Sequence, residues 1–479
     1  MNQNFKKCAF LLTLLAATFG LQAQDIWTLE KCINYARDNN ISVKQAEANI
    51  KTALLSEKQA KASRLPNVSA NTSLGEQFGY TIDPTTNGFS NQAIGTNSLS
   101  LNASVSLFSG GQIYHSVKKA GWDAKAAAAD AEQTINSLGL QIASAYLSIL
   151  LNEEQATSAT KRVEQSKQQL NNTLKLIDAG SQPQAERYTI EAQIAKEEQA
   201  AIVARNNTDL AYLNLKQLLQ LEPDFDLRIE HPTVLIPSDI NPDAVSLTPV
   251  YNTALNTQPS ITAADFRIKS AEEQVSIARA AYYPTVSLGA NLSSYYSSQS
   301  KNAVYTGNLV PGPTQSVDVG GTILPVTFYR EEYYLKKVTY GSQIDRNFGQ
   351  GIDLRVQIPI YQNGRVRLSV ERARLGIINA QLQNNQTRQQ LKNDIQTAIA
   401  NARSARLQLA ASQKSVDANR IAYSNTEKRH DLGAANTLEL TTAKTNLSIA
   451  ENDLIVAKYD YLFRLKILDF YQGKPLKLD

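Results

Sequence analysis

Polar and apolar positions follow two different rhythms along this chain. Between Leu29 and Arg64, and again between Leu247 and Tyr282, apolar residues recur at helical spacing; each run is followed by a Pro, Pro66 and Pro284, which disfavours helix just before it. Ser98 to Phe108 instead alternates strictly, with Leu99, Leu101, Ala103, Val105 and Leu107 on one face and Ser98, Ser100, Asn102, Ser104 and Ser106 on the other. Gly351 to Tyr361 repeats this with Ile352, Leu354, Val356, Ile358 and Ile360, and Thr285 to Tyr296 with Val286, Leu288, Ala290 and Leu292. Asn67 to Leu74 is a weaker version. Four strands are therefore predicted, at about 67–82, 98–108, 285–298 and 343–361.

Two much longer helices are predicted at 111–179 and 364–432, neither interrupted by Pro. At 1.5 Å per residue each spans roughly 100 Å. Each ends at a Gly, Gly180 or Gly433, after which a helix returns over 182–221 or 434–470. The last of these carries a heptad of Leu440, Leu447, Leu454, Tyr461 and Leu468 with Ala443, Ala450 and Ala457 three residues on. Large residues alternating with Ala let helices approach as in a coiled coil. A returning helix and the helix that leads into the strands, stacked end to end, have about the length of one long helix, so each half of the chain can form a column of coiled-coil pairs.

The chain repeats itself. At an offset of 218 residues Leu29, Ala36, Ser42, Ala46, Pro66 and Val68 fall on Leu247, Ala254, Ser260, Ala264, Pro284 and Val286; at an offset of 253, Val117, Asp178, Gly180, Glu186 and Thr189 fall on Val370, Asp431, Gly433, Glu439 and Thr442. The predicted organisation is a first repeat over 24–221, a Pro-containing linker over 222–246, a second repeat over 247–470 and a tail over 471–479. The difference between the offsets places 35 extra residues in the second half, read as an extended loop over about 299–342 that either occludes an outer mouth or forms a surface epitope.

Composition narrows the classes. Residues 1–23 read as a secretory signal peptide, with Lys6 and Lys7 ahead of an apolar stretch from Cys8 to Leu21 and a cut after Ala23. No 18-residue apolar run follows, which argues against a bundle of membrane helices but not against membrane strands. Removal of Cys8 with the leader leaves Cys32 alone, so no intrachain disulfide is expected. A net charge of +4 with scattered Lys and Arg points away from nucleic acid. The 21 Tyr suit wet boundaries, and Phe78, Tyr80, Tyr295 and Tyr296 at one end of the strands, with Phe108, Tyr282, Tyr283 and Tyr361 at the other, suggest two interfacial girdles. His115, His231 and His430 form no metal-spaced pair, and no serine elbow or phosphate-cradling Gly loop is present. The expectation is a protein with no catalysis, no cofactor and no bound metal. Four strands cannot close a barrel, and open edges are not tolerated in lipid, so the chain is expected to oligomerise. The competing readings are a soluble sandwich and a periplasmic coiled-coil scaffold.

The tandem halves, the Leu-Pro-Asn-Val and Tyr-Pro-Thr-Val approaches to the strands, the Phe-Ser-Gly-Gly and Tyr-Gln-Asn-Gly exits into the long helices, and the Ala-Gly and Leu-Gly turns together resemble the TolC-like outer membrane efflux protein family across nearly the whole mature chain. The resemblance implies an α+β membrane protein: a homotrimer with a 12-stranded transmembrane β-barrel, four strands per chain, continuing into a 12-helix periplasmic α-barrel. It implies the outer membrane of a Gram-negative bacterium with its lipid, a periplasmic adaptor (membrane fusion) protein docking at the turns, and an inner-membrane pump, by base rate of the resistance-nodulation-division type. The export of drugs is the base-rate function; type I protein secretion and heavy-metal efflux share the architecture. Carried onto this chain, the tip turns are Gly180 and Gly433 with Ala179 and Leu432 before them. The gate is Glu186 and Glu439, which a threefold axis would make into rings of negative charge. His430 stands where the family often has Tyr, and is expected to pair with Glu186 of a neighbouring hairpin and titrate near neutral pH. On the strands, Asp353 and Arg355 face the polar side, as lumen residues or as a cross-strand pair.

Overall fold

A computed structural model describes residues 26–83, 87–232 and 242–474. The leader expected over 1–23 lies outside the described residues, as do part of the linker (233–241) and the end of the tail (475–479). In chain order the first half holds α1 (Leu29–Asn39), α2 (Ile41–Ala62), β1 (Asn67–Gln77), β2 (Thr81–Ile82), β3 (Phe89–Ser90), β4 (Ile94–Ser109), α3 (Gln112–Asp178) and α4 (Ala185–Leu219). The second half holds α5 (Leu247–Thr257), α6 (Pro259–Ala280), β5 (Thr285–Ser297), β6 (Lys301–Val319), β7 (Thr322–Lys337), α7 (Tyr340–Arg346), β8 (Gly349–Gln357), α8 (Arg365–Asp431) and α9 (Thr437–Tyr471). These elements form two compact units, one helical and one built around strands.

The helical unit takes the described residues up to Leu55, Gly121–Ser270 and those from Ile377 onward. Where one helix was expected over 29–64 there are two, because Asn40 turns extended (φ −65°, ψ 134°). Its amide donates to the Leu218 carbonyl at 2.8 Å, and its Oδ1 accepts from the Ser42 N–H at 2.8 Å, so the side chain restarts the helix it has interrupted. The second run breaks at the matching position of the repeat, Gln258, also extended, where Pro259 follows; Pro opens the new helix at a position that needs no N–H donor. Two cores result. Trp27, Cys32, Ile142, Tyr146, Ile149, Leu215, Leu219 and Leu462 form one; Val250, Ile261, Leu391, Ile395 and Leu468 form the other. Burial pushes the Cys32 thiol up to about 12, and the Tyr146 hydroxyl lies between the carbonyls of Trp27 (3.1 Å) and Glu230 (2.8 Å). The α3 helix is long and apolar enough to cross a membrane by length and composition, but its apolar stripe from Leu138 to Leu150 is what fills the first core.

The strand unit takes Ser56–Ala120 and Ala271–Gly376. Four strands form one antiparallel sheet in the order β1-β4-β5-β8. Register places Asn71, Ser100, Ser293 and Gly349 in one row and Ser69, Asn102, Asn291 and Gly351 in the next, all on one polar face. Ala70, Leu101 and Leu292 share a row of the opposite face, as do Leu288 and Leu354. The strand expected over 67–82 stops at Gln77, and that expected over 343–361 is shortened at both ends to Gly349–Gln357. Residues 340–346 are helical instead: the Gln343 amide is buried, bonding Ser297 N at 2.9 Å, Ser297 O at 3.0 Å and Val338 O at 3.0 Å, which fastens a helical turn there. The segment read as an extended loop is a two-stranded ribbon of β6 and β7, whose register shifts between Tyr305 and Leu309 and between Pro311 and Thr314. Such irregularities are where a strand tolerates Pro.

Candidate functional site: helical turns and the polar sheet face

Both helical turns lie in the helical unit and share one backbone solution. At the first, Gly180 N–H donates to Ile177 O and Ser181 N–H to Leu176 O, both at 2.8 Å; at the second, Gly433 N–H donates to His430 O (2.9 Å) and Ala434 N–H to Arg429 O (2.7 Å). This pair of bonds closes a helix on a left-handed residue. The glycines sit at φ +75° and +74°, and a Cβ on either would meet nothing within 4 Å, so backbone conformation and not space demands Gly. Ala179 and Leu432 are the residues just before, and Leu432 is exposed.

The caps that follow differ. In the second turn Asn436 Oδ1 accepts from Glu439 N–H at 2.8 Å; the first, reached through Pro183, has no side-chain cap. Glu186 and Glu439 both stand in the first turn of their helices, where the aligned peptide dipoles favour negative charge. Glu439 lies 3.5 Å from Arg429, which also donates to Ala434 O at 3.1 Å. Glu186 is half-buried, with no cation at ion-pair distance among the described residues. His430 does not meet Glu186 within the chain. Its side chain is 11% exposed and turned into its own hairpin, with Nε2 3.4 Å from Thr437 Oγ1 and Nδ1 3.9 Å from Asp431.

Deeper in the same hairpins lies a charged group that sequence reading passed over. Lys444 donates to Ser166 Oγ at 2.5 Å and stands 3.9 Å from Glu197, with 10% and 9% of the two side chains exposed. Gln193 donates to Glu197 Oε1 at 2.8 Å, while Oε2 is buried without a hydrogen-bond partner. Burial holds the Lys444 ammonium below the usual lysine value; Glu197 opposes that, and Arg162 adds to it. The signal was present: Lys444 sits on the Leu440–Leu447 stripe of α9 and Glu197 on the Ile190–Ile194 stripe of α4, positions that call for apolar residues.

In the strand unit, Asp353 and Arg355 lie on the polar face of β8, opposite Gly289 and Ser287 of β5. The Asp353 carboxylate lies across the neighbouring strand: a Cβ on Gly289 would come within 2.5 Å of its Oδ1. Asn291 lies across Gly351 in the same way. Asp353 and Arg355 form no ion pair with each other among the described residues, so the geometry is that of two polar groups on one face.

The profile of a family described as "Outer membrane efflux protein" matches residues 32–220 and 250–473, the two repeats in turn. The chain belongs to this family. Among curated relatives, it is 24% identical over 477 residues to outer membrane protein TolC of Salmonella enteritidis, covering 94% of this chain and 84% of that one. It is 27% identical over 279 residues to toxin and drug export protein A of Aggregatibacter actinomycetemcomitans, 56% of either chain. The chain thus spans about half the length of the first curated relatives it matches. The fold is shared with solved outer membrane proteins: VceC of Vibrio cholerae aligns at a TM-score of 0.71 and 18% identity over 94% of this chain and 97% of that one.

Proposed function

We propose that three copies of this chain form the passive exit duct of a tripartite efflux system in the outer membrane of a Gram-negative bacterium. In this reading the sheets of the three chains join into a 12-stranded barrel and the helices form a 12-helix tunnel across the periplasm. Small molecules such as drugs pass from an inner-membrane pump of the resistance-nodulation-division type through a periplasmic adaptor that docks at Gly180, Gly433, Ala179 and Leu432. The observation that carries the reading is the sheet itself. Its outer strands β1 and β8 each pair on one side only among the described residues, and one face bears Ile352, Leu354, Leu74 and Val68 in the open. Lipid tolerates neither an unpaired edge nor a polar outer face, so neighbouring chains must complete the sheet with its Ser/Asn face inward. Asp353 and Arg355 then face the lumen.

Gating belongs to the turns. Glu186, half-buried and without a cation, supplies an uncompensated ring of charge, whereas Glu439 is partly answered by Arg429. The test is single-channel conductance in a planar bilayer, wild type against the Glu186→Ala, Glu439→Ala double variant. A small cation-selective current that grows or loses selectivity in the variant is expected. Absence of current from inserted wild type and variant alike would return the scaffold reading.

A further inference from the structure

We propose that the strand unit carries a binding site for the phosphorylated, multiply acylated glycolipid of the outer leaflet, lipopolysaccharide. One acyl chain lies under α7 on the apolar sheet face, and a phosphate is held by Lys336 and Arg346. The proposal rests on the outer-membrane reading above, which makes that face the one in contact with hydrocarbon.

The first support is a groove the chain leaves unfilled. The α7 helix stands on the apolar face at the end of the sheet where β5 stops and β8 begins. Tyr340 donates to Asn97 Oδ1 at 2.6 Å, and Ser294 Oγ donates to the Ile344 carbonyl at 2.7 Å. These polar bonds fix the helix while Ile344 and Phe348 line, with Leu99, Leu101 and Leu292, an open groove of about 420 Å³. Phe348 remains 55% exposed and Leu101 42% exposed, so the groove is apolar yet unoccupied by the chain's own side chains. Its size is within the range of pockets that take small ligands.

The second support is charge. Arg346 closes α7 and donates to Asn302 Oδ1 at 2.7 Å, and Asn302 lies directly opposite Lys336 in the ribbon. Arg346 and Lys336 are thereby brought to one side of the ribbon root. On its other side Lys301 and Lys337 face each other directly, a like-charge pairing that is unfavourable unless an anion answers it. Nearby carboxylates are engaged elsewhere or turned out: Glu332 takes Thr306 Oγ1 at 2.9 Å, Glu331 takes the Tyr333 hydroxyl, and Asp345 is exposed on α7. Among the described residues none forms an ion pair with these four cations. An apolar groove beside four unanswered cations fits an amphiphile with an anionic head, and guanidinium geometry suits phosphate. All four connections to helices leave the sheet from its other end, so in the outer-membrane reading this end meets the outer leaflet.

The test uses the full-length oligomer purified in detergent and probed with purified lipopolysaccharide by native mass spectrometry, with phosphatidylglycerol as competitor. Wild type is expected to retain the glycolipid and to resist exchange by phosphatidylglycerol. The Lys336→Glu, Arg346→Glu double variant should bind about tenfold more weakly or worse, Phe348→Ser several-fold more weakly, and Arg346→Lys should keep most of the binding. Unchanged binding in the charge-reversed variant overturns the site, as does equal displacement by phosphatidylglycerol. Conductance of the same preparations separates the two readings. Channels that conduct but bind no glycolipid refute this site alone, and a chain that neither inserts nor conducts refutes the duct and the site with it.

Discussion

The helical and strand units treat the same kinds of residue in opposite ways. In the helical unit Ile142, Tyr146, Leu215 and Ile395 are wholly enclosed by neighbouring helices. In the strand unit Ile352 and Leu74 are more than 80% exposed, on a face against which α7 packs in part. The first unit encloses a core of its own and leaves apolar residues such as Ile202 and Ile421 scattered on its surface, whereas the second gathers its exposed apolar residues on one sheet face. A sheet face of that kind is stable when its solvent is hydrocarbon, where the same residues cost nothing to expose. The two units therefore answer to different environments, and substitutions should sort accordingly.

The sharpest separation is expected inside the helical unit. Lys444→Ala leaves Glu197 buried without its cation and should lower stability by about 3 kcal/mol, read from denaturant unfolding; Glu197→Ala added to it should cost much less than the sum of the singles. Ile352→Arg on the apolar sheet face should cost about 2 kcal/mol in lipid vesicles, while Ser100→Arg on the polar face should change unfolding little and shift ion selectivity instead. Equal effects from those two would break the assignment of the faces. Gly180→Ala and Gly433→Ala should each cost about 1 kcal/mol, through the left-handed backbone alone. The smallest effect concerns Cys32. Its folded thiol keeps a proton up to about pH 12, whereas the unfolded thiol releases it near 9.0. Stability should fall as pH rises to 9 and beyond, by about 0.4 kcal/mol at pH 9, and alkylation at pH 8 should follow global unfolding.

Legibility in the sequence followed the strength of local pattern. The Ser/Leu alternation of β4 and β5 identified both strands and the two faces, since a period of two admits one register. The turn glycines were equally plain, because a Pro-free run that stops at Gly has few other readings. Asn40 and Gln258 were missed as breaks: each lies inside an apolar helical rhythm that resumes after a single extended residue. The ribbon of β6 and β7 reads as a loop in sequence because Pro311, Pro313 and the Gly320-Gly321 pair hide strands whose irregular register absorbs them. The α7 turn owes its place to the buried Gln343, a contact that only the tertiary fold reveals. At the turns, sequence located Glu186, Glu439 and His430 but not their surroundings. The inward rotation of His430 onto Thr437 depends on how two helices face each other.

The open edges of the sheet have a genetic consequence. If β1 of one chain must meet β8 of the next, a copy with one spoiled edge still joins the ring through its sound edge and leaves the closure incomplete. A proline on β1 at a position whose N–H faces the open edge would remove an edge donor without touching the helices. Expressed in equal amount beside the natural chain, such a copy would leave only about one ring in eight free of it for threefold assembly, so the defect would be dominant.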